Sequence, residues 1–169
     1  EYIVKPDDTL EITAYTGESS NLSLPELLYG NKVTSVGDSA FYGYSNLESI
    51  DIPDSIESIS DYAFANCDNL QTVTISENSR LREIGDRAFC EDEQLDTLLI
   101  PDGVQKIGEY AFYNCKAITN VQLGERLKYI GGAAFSGCKN LTYIAIDPNN
   151  EYFCSVNGIL YDKDCTHIV

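Results

Sequence analysis

The dipeptide Ala-Phe occurs five times, at Ala40-Phe41, Ala63-Phe64, Ala88-Phe89, Ala111-Phe112 and Ala134-Phe135, with Phe-to-Phe steps of 23, 25, 23 and 23 residues. Eight residues before each Phe stands Val33, Ile56, Leu81, Val104 or Leu127; five before it stands Val36, Ile59, Ile84, Ile107 or Ile130. Six residues after it comes Leu47, Leu70, Leu95, Ile118 or Leu141. Nine and eleven after it come the pairs Ile50/Ile52, Val73/Ile75, Leu98/Ile100, Val121/Leu123 and Ile144/Ile146. Counting the Ala and the Phe, seven positions are apolar in all five copies, far beyond chance in a chain that is 43% apolar. A fixed period of roughly 20–50 residues marks a solenoid. No single coil can bury its apolar set, and stacked neighbours supply the continuous core.

Within a coil, positions +9 and +11 alternate with small or polar residues, the period-two mark of a half-buried strand. One parallel strand per coil then builds a sheet along a concave face. A turn follows, marked by Pro53 and Pro101, and by Pro148 one position later. The stretch from −8 to −5 returns along the opposite side. Position −4 is Gly37, Gly85, Gly108 or Gly131, with Ser60 as the exception. Such a glycine suits positive φ or close backbone approach. Asp61 to Cys67 is too short for an independent helix and predicts a single helical turn under the strand. Leu27 to Asn31 reads as an inserted bulge, and the two extra residues before Phe89 fall around Glu77 to Arg80. Asn157-Gly158 between apolar runs predicts a hairpin. The expected organisation is a solenoid of about six coils over residues 1–147, with a C-terminal hairpin segment, 148–169, packed on the last coil.

The repeat reads Leu95 to Ile100, Pro101, Val104, Ile107-Gly108, Ala111-Phe112, Cys115, Ile118. This pattern resembles the BspA-like, or Treponema pallidum type, leucine-rich repeat, and the resemblance covers residues 10 to 147. It implies an α/β leucine-rich-repeat solenoid: a right-handed, β-rich coil with short helical turns and parallel strands on the concave face. It also implies a bacterial protein that is secreted or held at the cell surface, in a family with members implicated in adhesion. The opening Leu10 to Gly17 looks like the lead-in repeat of such proteins. In this family a hairpin like that of the tail often interrupts an array that then continues, so the chain is expected to be a fragment of a longer protein.

Charge narrows the function classes. The chain carries 11 Lys+Arg against 27 Asp+Glu, a formal net charge of −16. Phosphate binding needs clustered cations, so nucleic acid is not an expected partner. No apolar run approaches the ~18 residues of a membrane span, so no direct membrane insertion is expected. The single His, His167, lies at the end, which disfavours a Ser–His or Cys–His dyad inside the fold. There is no Met, and the sequence reads as a mature product or an excised piece.

The six cysteines follow the register. Cys67, Cys115 and Cys138 all fall at +3, where the other coils carry Tyr44 and Asp92. Equivalent interior positions predict free thiols packed as small hydrophobes, because their parallel Cβ directions suit a disulfide poorly. Cys90 has no partner in the pattern. Cys154 and Cys165 flank the hairpin and form the one pair placed to bond; the spacing leaves bonded and free forms both open. With no Cys-x-x-Cys and one His, a zinc site is not expected, nor any other metal or cofactor.

The exposed strand positions are the candidate site. Position +8 gives Ser49, Thr72, Thr97, Asn120 and Tyr143; position +10 gives Asp51, Thr74, Leu99, Gln122 and Ala145. Thr and Tyr fit any strand surface, yet this strip is almost uncharged in a strongly acidic chain. Its ligand-binding candidates are Ser49, Asp51, Thr72, Thr74, Thr97, Leu99, Asn120, Gln122 and Tyr143, with Leu99 and Tyr143 as anchors. Asp51 has no second acid beside it, so the carboxylate pair of a glycosidase is missing and no catalytic residue is assigned. Glu91-Asp92-Glu93 and Asp162-Lys163-Asp164 lack the spacing and glycine of a calcium loop and read as solvated charge. The tyrosines at −2 and +1, Tyr42, Tyr62, Tyr110 and Tyr113, read as convex-side cover. The expected function is a non-catalytic, extracellular or cell-surface binding or adhesion module, monomeric, presenting the strip to a protein or glycan. The alternative is a structural spacer that displays other domains.

Overall fold

The computed structural model describes residues 1–169, with the side chain of Leu98 outside the described set; the core place expected of Leu98 therefore lies outside it too. Sixteen short strands follow one another. The chain opens with β1 (Tyr2–Val4), β2 (Leu10–Ile12), β3 (Asn21–Ser23), β4 (Leu27–Leu28) and β5 (Asn31–Val36). The coils continue with β6 (Ser49–Ile52), β7 (Ser58–Ile59), β8 (Thr72–Ile75), β9 (Glu83–Ile84) and β10 (Thr97–Leu98). Then come β11 (Lys106–Ile107), β12 (Asn120–Leu123), β13 (Tyr129–Ile130) and β14 (Tyr143–Ile146), and the chain ends with β15 (Phe153–Val156) and β16 (Ile159–Asp162).

Each coil contributes two strands to two different sheets. The +8 to +11 segments pair in parallel and in register, Ile50 beside Val73 and Ile52 beside Ile75. Their alternation places Ile50, Ile52, Val73, Ile75, Val121 and Leu123 in the core. The −6/−5 segments, expected only to return along the opposite side, form a second parallel sheet, running β2-β5-β7-β9-β11-β13. The antiparallel strand β1 covers its first edge.

The expectation of one unbroken strand face is corrected. Strands β3, β6, β8 and β10 make one four-stranded sheet, and β12 and β14 make a separate pair. Thr97 and Leu98 pair with β8 and not with β12. The expected bulge at Leu27 to Asn31 is a hairpin: β4 pairs antiparallel with β5, and Tyr29 and Gly30 at its tip both have positive φ.

The helical turn is also corrected, for a definite reason. No helix forms around the Phe; successive tight turns do. In every coil the residues at −2 and +2 are left-handed: Ser39/Gly43, Tyr62/Asn66, Arg87/Glu91, Tyr110/Asn114 and Ala133/Gly137. A right-handed helix cannot pass through such residues. Their N–H groups, with that of the Phe, point to the next coil: Tyr62 to Asp86 O, Phe64 to Ala88 O and Asn66 to Cys90 O. The same three bonds join the other adjacent coils, as from Ser39, Phe41 and Gly43. This third ladder uses the N–H groups that a helix would direct backwards along its own axis.

Glycine at −4 is explained by close approach. None of Gly37, Gly85, Gly108 and Gly131 has positive φ. A Cβ on Gly108 would lie 2.5 Å from the Asp86 backbone N, and on Gly131 2.3 Å from that of Glu109.

The five Phe rings stack as one column, Phe41 on Phe64, Phe64 on Phe89, Phe89 on Phe112 and Phe112 on Phe135, with centroids 5.0–5.4 Å apart. Tyr15 extends the column at the N-terminal end, 5.7 Å from Phe41. At the other end, the hairpin of β15 and β16 lies against β14, where the Ile144 N–H donates to Gly158 O. Asn150 is fully buried and ties this segment to the last coil. Its Nδ2 donates to the carbonyls of Gly124, Glu125 and Leu127, and its Oδ1 accepts from the Tyr152 and Phe153 N–H groups. Cys154 and Cys165 are bonded, closing the tail.

Candidate functional site

The strip of +8 and +10 side chains stands on the strand faces opposite the core. Its position follows from the pleat: with Ile50 and Ile52 turned inward, Ser49 and Asp51 must turn outward. Asp51, Thr74, Thr97, Leu99, Asn120, Gln122 and Tyr143 are exposed, while Ser49 and Thr72 are half-buried.

Polar groups at both ends of the strip are bonded to their neighbours, across strands at one end and along the chain at the other. At the N-terminal end, Ser49 Oγ donates to Asn21 Oδ1 at 2.6 Å and Ser23 Oγ donates to Asp51 Oδ2 at 2.7 Å. The strip thus extends one coil further than the repeat predicts, through Asn21 and Ser23 on β3, which pair with Ser49 and Asp51. The Ala-Phe marker missed this coil because Tyr15 takes the place of Phe. Further along, Asn120 Nδ2 donates to its neighbour Thr119 Oγ1 and Thr97 Oγ1 to Asp96 Oδ1.

The two proposed anchors do not share a pocket. Leu99 and Gln122 line an open hollow of about 270 Å³ with Glu77, Ile100, Pro101 and Asp102. It lies where the strand sheet is interrupted between β10 and β12. Leu99 is 41% exposed, an aliphatic side chain in water on the wall of this hollow. Tyr143 lies elsewhere: its ring abuts Gly158, where a Cβ would come within 2.6 Å of it, so it serves the hairpin contact as well as the strip.

The opposite sheet has a different character. Its outward side chains include Glu83 and Lys106, joined at 2.5 Å, and the column Asp38, Asp61, Asp86 and Glu109 runs beside it. Asp61 and Asp86 each accept the N–H of the following coil's residue, Asp86 at 2.7 Å and Glu109 at 2.8 Å, so these carboxylates are part of the coil spacing. The partner Glu83 and the neighbouring acids hold the Lys106 amine above its ordinary range, firmly charged. On the turn side, Arg87 lies over the rings of Tyr62 and Tyr110, 5.6 and 4.8 Å from their centroids. Tyr62 also meets Tyr42, and Tyr110 meets Tyr113, edge-on along the convex turns.

Among the described residues no three of His, Cys, Asp and Glu are placed to hold a metal ion, and no helix is long and apolar enough to cross a membrane. Cys67, Cys115 and Cys138 are buried and free. Each donates its S–H to a Phe carbonyl of the preceding coil: Cys67 to Phe41, Cys115 to Phe89 and Cys138 to Phe112, at 3.0–3.2 Å. Burial pushes their thiols up, that of Cys138 to about 11.

The sequence profile of the BspA type leucine rich repeat region matches residues 10–142 in six copies. The chain belongs to that family. Among solved structures, a leucine-rich repeat protein of Treponema pallidum is similar, at 32% identity and TM-score 0.82, covering 85% of this chain and 67% of its own. A leucine-rich repeat protein of Eubacterium ventriosum matches at 24% identity and TM-score 0.74, covering 96% of this chain and 45% of its own. A leucine rich cell surface protein of Faecalibacterium prausnitzii matches at 25% identity and TM-score 0.59, covering 98% and 57%. No curated protein matches the chain. The match takes in five of the six strands that line the strip, β3 to β12, and ends just before β14.

Proposed function

We propose that this BspA-type repeat segment is a non-catalytic recognition module of a secreted or surface-held bacterial protein, binding a protein or glycan along the strand strip. The observation that carries the reading is the contrast between its two sheet faces. One face is spaced by carboxylates and an ion pair. The other holds Asp51 as its single acid among the ten +8 and +10 positions of the five marked coils, in a chain of net charge −16. Hydroxyls, amides and the exposed Leu99 are the groups that meet a neutral, hydrogen-bonding partner. The cell-surface description of the Faecalibacterium neighbour supports the location.

Six strands at ~4.8 Å give a strip of roughly 25–30 Å, near the low end of the ~800 Å² per partner of a standard interface. Affinity of one such segment is expected to be weak and to rise sharply when several are displayed together. The test is saturable retention of the chain, displayed on beads, by immobilised mucin-type glycans and extracellular-matrix proteins. Saturable retention by one class supports recognition. Absence of retention at every density supports the second reading, a spacer that carries other domains, which the unbroken β2-to-β13 sheet and the Phe column favour by making the solenoid stiff.

A further inference from the structure

The +3 column, Tyr44, Cys67, Asp92, Cys115 and Cys138, contains one carboxyl group among thiols. Asp92 is 0% exposed. Its neighbours in the column set what this position requires: the side chain donates a hydrogen to the Phe carbonyl of the coil before. For Asp92 that acceptor is Phe64 O, the counterpart of Phe41 O for Cys67 and Phe89 O for Cys115. An ionised carboxylate has no hydrogen to donate.

The local bonding is rearranged around this residue. In other coils the +3 N–H turns back to its own Phe carbonyl, as Tyr44 does to Phe41 and Cys115 to Phe112. The Cys67 N–H turns instead to Asp92 Oδ1 at 2.8 Å. That leaves Phe64 O without either donor its counterparts receive, and Asp92 Oδ2 is buried without a partner. One oxygen accepts, the other is idle beside a carbonyl column that needs donors. A protonated carboxyl, with its hydrogen on Oδ2, fits this arrangement.

We propose that Asp92 is a neutral carboxylic acid in the folded chain, and that its ionisation loosens the solenoid at the third marked coil, so that the fold is tightened by acid. The groups facing Asp92 offer no counter-charge. Cys67 and Asp68 come from the preceding coil and Cys115 from the following one, with Cys90, Glu91 and Glu93 on its own turn. Burial pushes the carboxyl well above the usual range and Asp68 adds to this, while the Cys67 N–H opposes it. The folded chain therefore holds a proton that the unfolded chain releases near pH ~3.9. Stability contributed by this group is complete below that pH and falls as pH rises, until the folded carboxyl itself ionises.

The variant D92N tests this, because its amide supplies an acceptor for the Cys67 N–H and a permanent donor toward Phe64 O. The ratio of wild-type to D92N unfolding constants should rise about tenfold per pH unit above pH ~4, until the folded wild-type carboxyl titrates. The wild type should also show the infrared band of a protonated carboxylic acid at pH 7, missing in D92N. A ratio independent of pH, or no such band at pH 7, overturns the proposal. Should D92N fail to fold, D92C restores the column's thiol and takes its place in both measurements.

Discussion

Phe89 and Phe112 stack with ring centroids 5.4 Å apart and planes only 4° from parallel. The two residues are 23 positions apart in sequence, so this pair transmits the register of one coil to the next. Each ring is fully buried. Replacing Phe112 by Ala removes the middle of three consecutive rings and should cost ~3–5 kcal/mol. Urea unfolding measures it; a loss below about 1 kcal/mol would show that the column does not hold the coils.

The backbone around each Phe gives a paired prediction. Ala133 is exposed and left-handed at φ 56°, where a glycine is unstrained. Ala133→Gly should raise stability by ~0.5–1 kcal/mol, the relief of the left-handed penalty exceeding the entropic loss. Gly108→Ala, where the new Cβ meets Asp86 backbone, should instead destabilise the fold, and far more than Gly132→Ala, where a Cβ meets nothing within 4 Å. Melting temperatures of Ala133→Gly and Gly108→Ala moving in the same direction would contradict the assignment.

Thiol counting checks the interior. Cys67, Cys115 and Cys138 are buried with their hydrogens on carbonyls, and Cys90 is half-buried. A thiol reagent at pH 8 should modify at most Cys90 in the native chain, and four cysteines after unfolding without reductant. Two or more fast-reacting thiols in the native chain would displace the +3 column from the core.

Asn150 holds the tail by five hydrogen bonds from a fully buried site. Asn150→Ala leaves three carbonyls and two N–H groups without partners, at a cost of ~2–3 kcal/mol. Because the Ile144 N–H donates to Gly158 O across the contact between hairpin and last strand, hydrogen exchange should show the opening first there. Unchanged exchange there would detach the hairpin from the last strand.

Much of this fold was legible in the chain because one ring and its flanking aliphatics repeat at a nearly constant period. That fixed five of the coils, the inward Ile50 and Ile52 and the outward Ser49 and Asp51. The left-handed residues were not legible: Tyr62, Arg87 and Tyr110 are unusual occupants of positive φ, and only the inter-coil N–H ladder holds them there. The two-residue strands such as Ser58–Ile59 were missed because a strand this short shows no alternation of its own. The first coil carries Tyr15 in place of Phe and was legible only through the family resemblance of Leu10 to Gly17. Asp92 was visible at an interior position in the register, but its acidic neighbours Glu91 and Glu93 made it read as loop charge. The break between β10 and β12 has no signature in the repeat, since Leu98 and Val121 both obey it.

The central claim is that recognition runs along the strand strip, and one comparison tests it most directly. The triple variant T97A/L99A/Q122A alters the strip at and beside the hollow, leaving Tyr143 and its hairpin contact intact. The variant Y42A/Y62A/Y110A alters the convex turns. Retention on an immobilised partner, measured at matched display density with both folds verified by melting, should fall at least tenfold for the strip variant, about 1.4 kcal/mol, and stay within twofold of wild type for the convex one. Loss confined to the convex variant, with the strip variant binding as wild type, would contradict it.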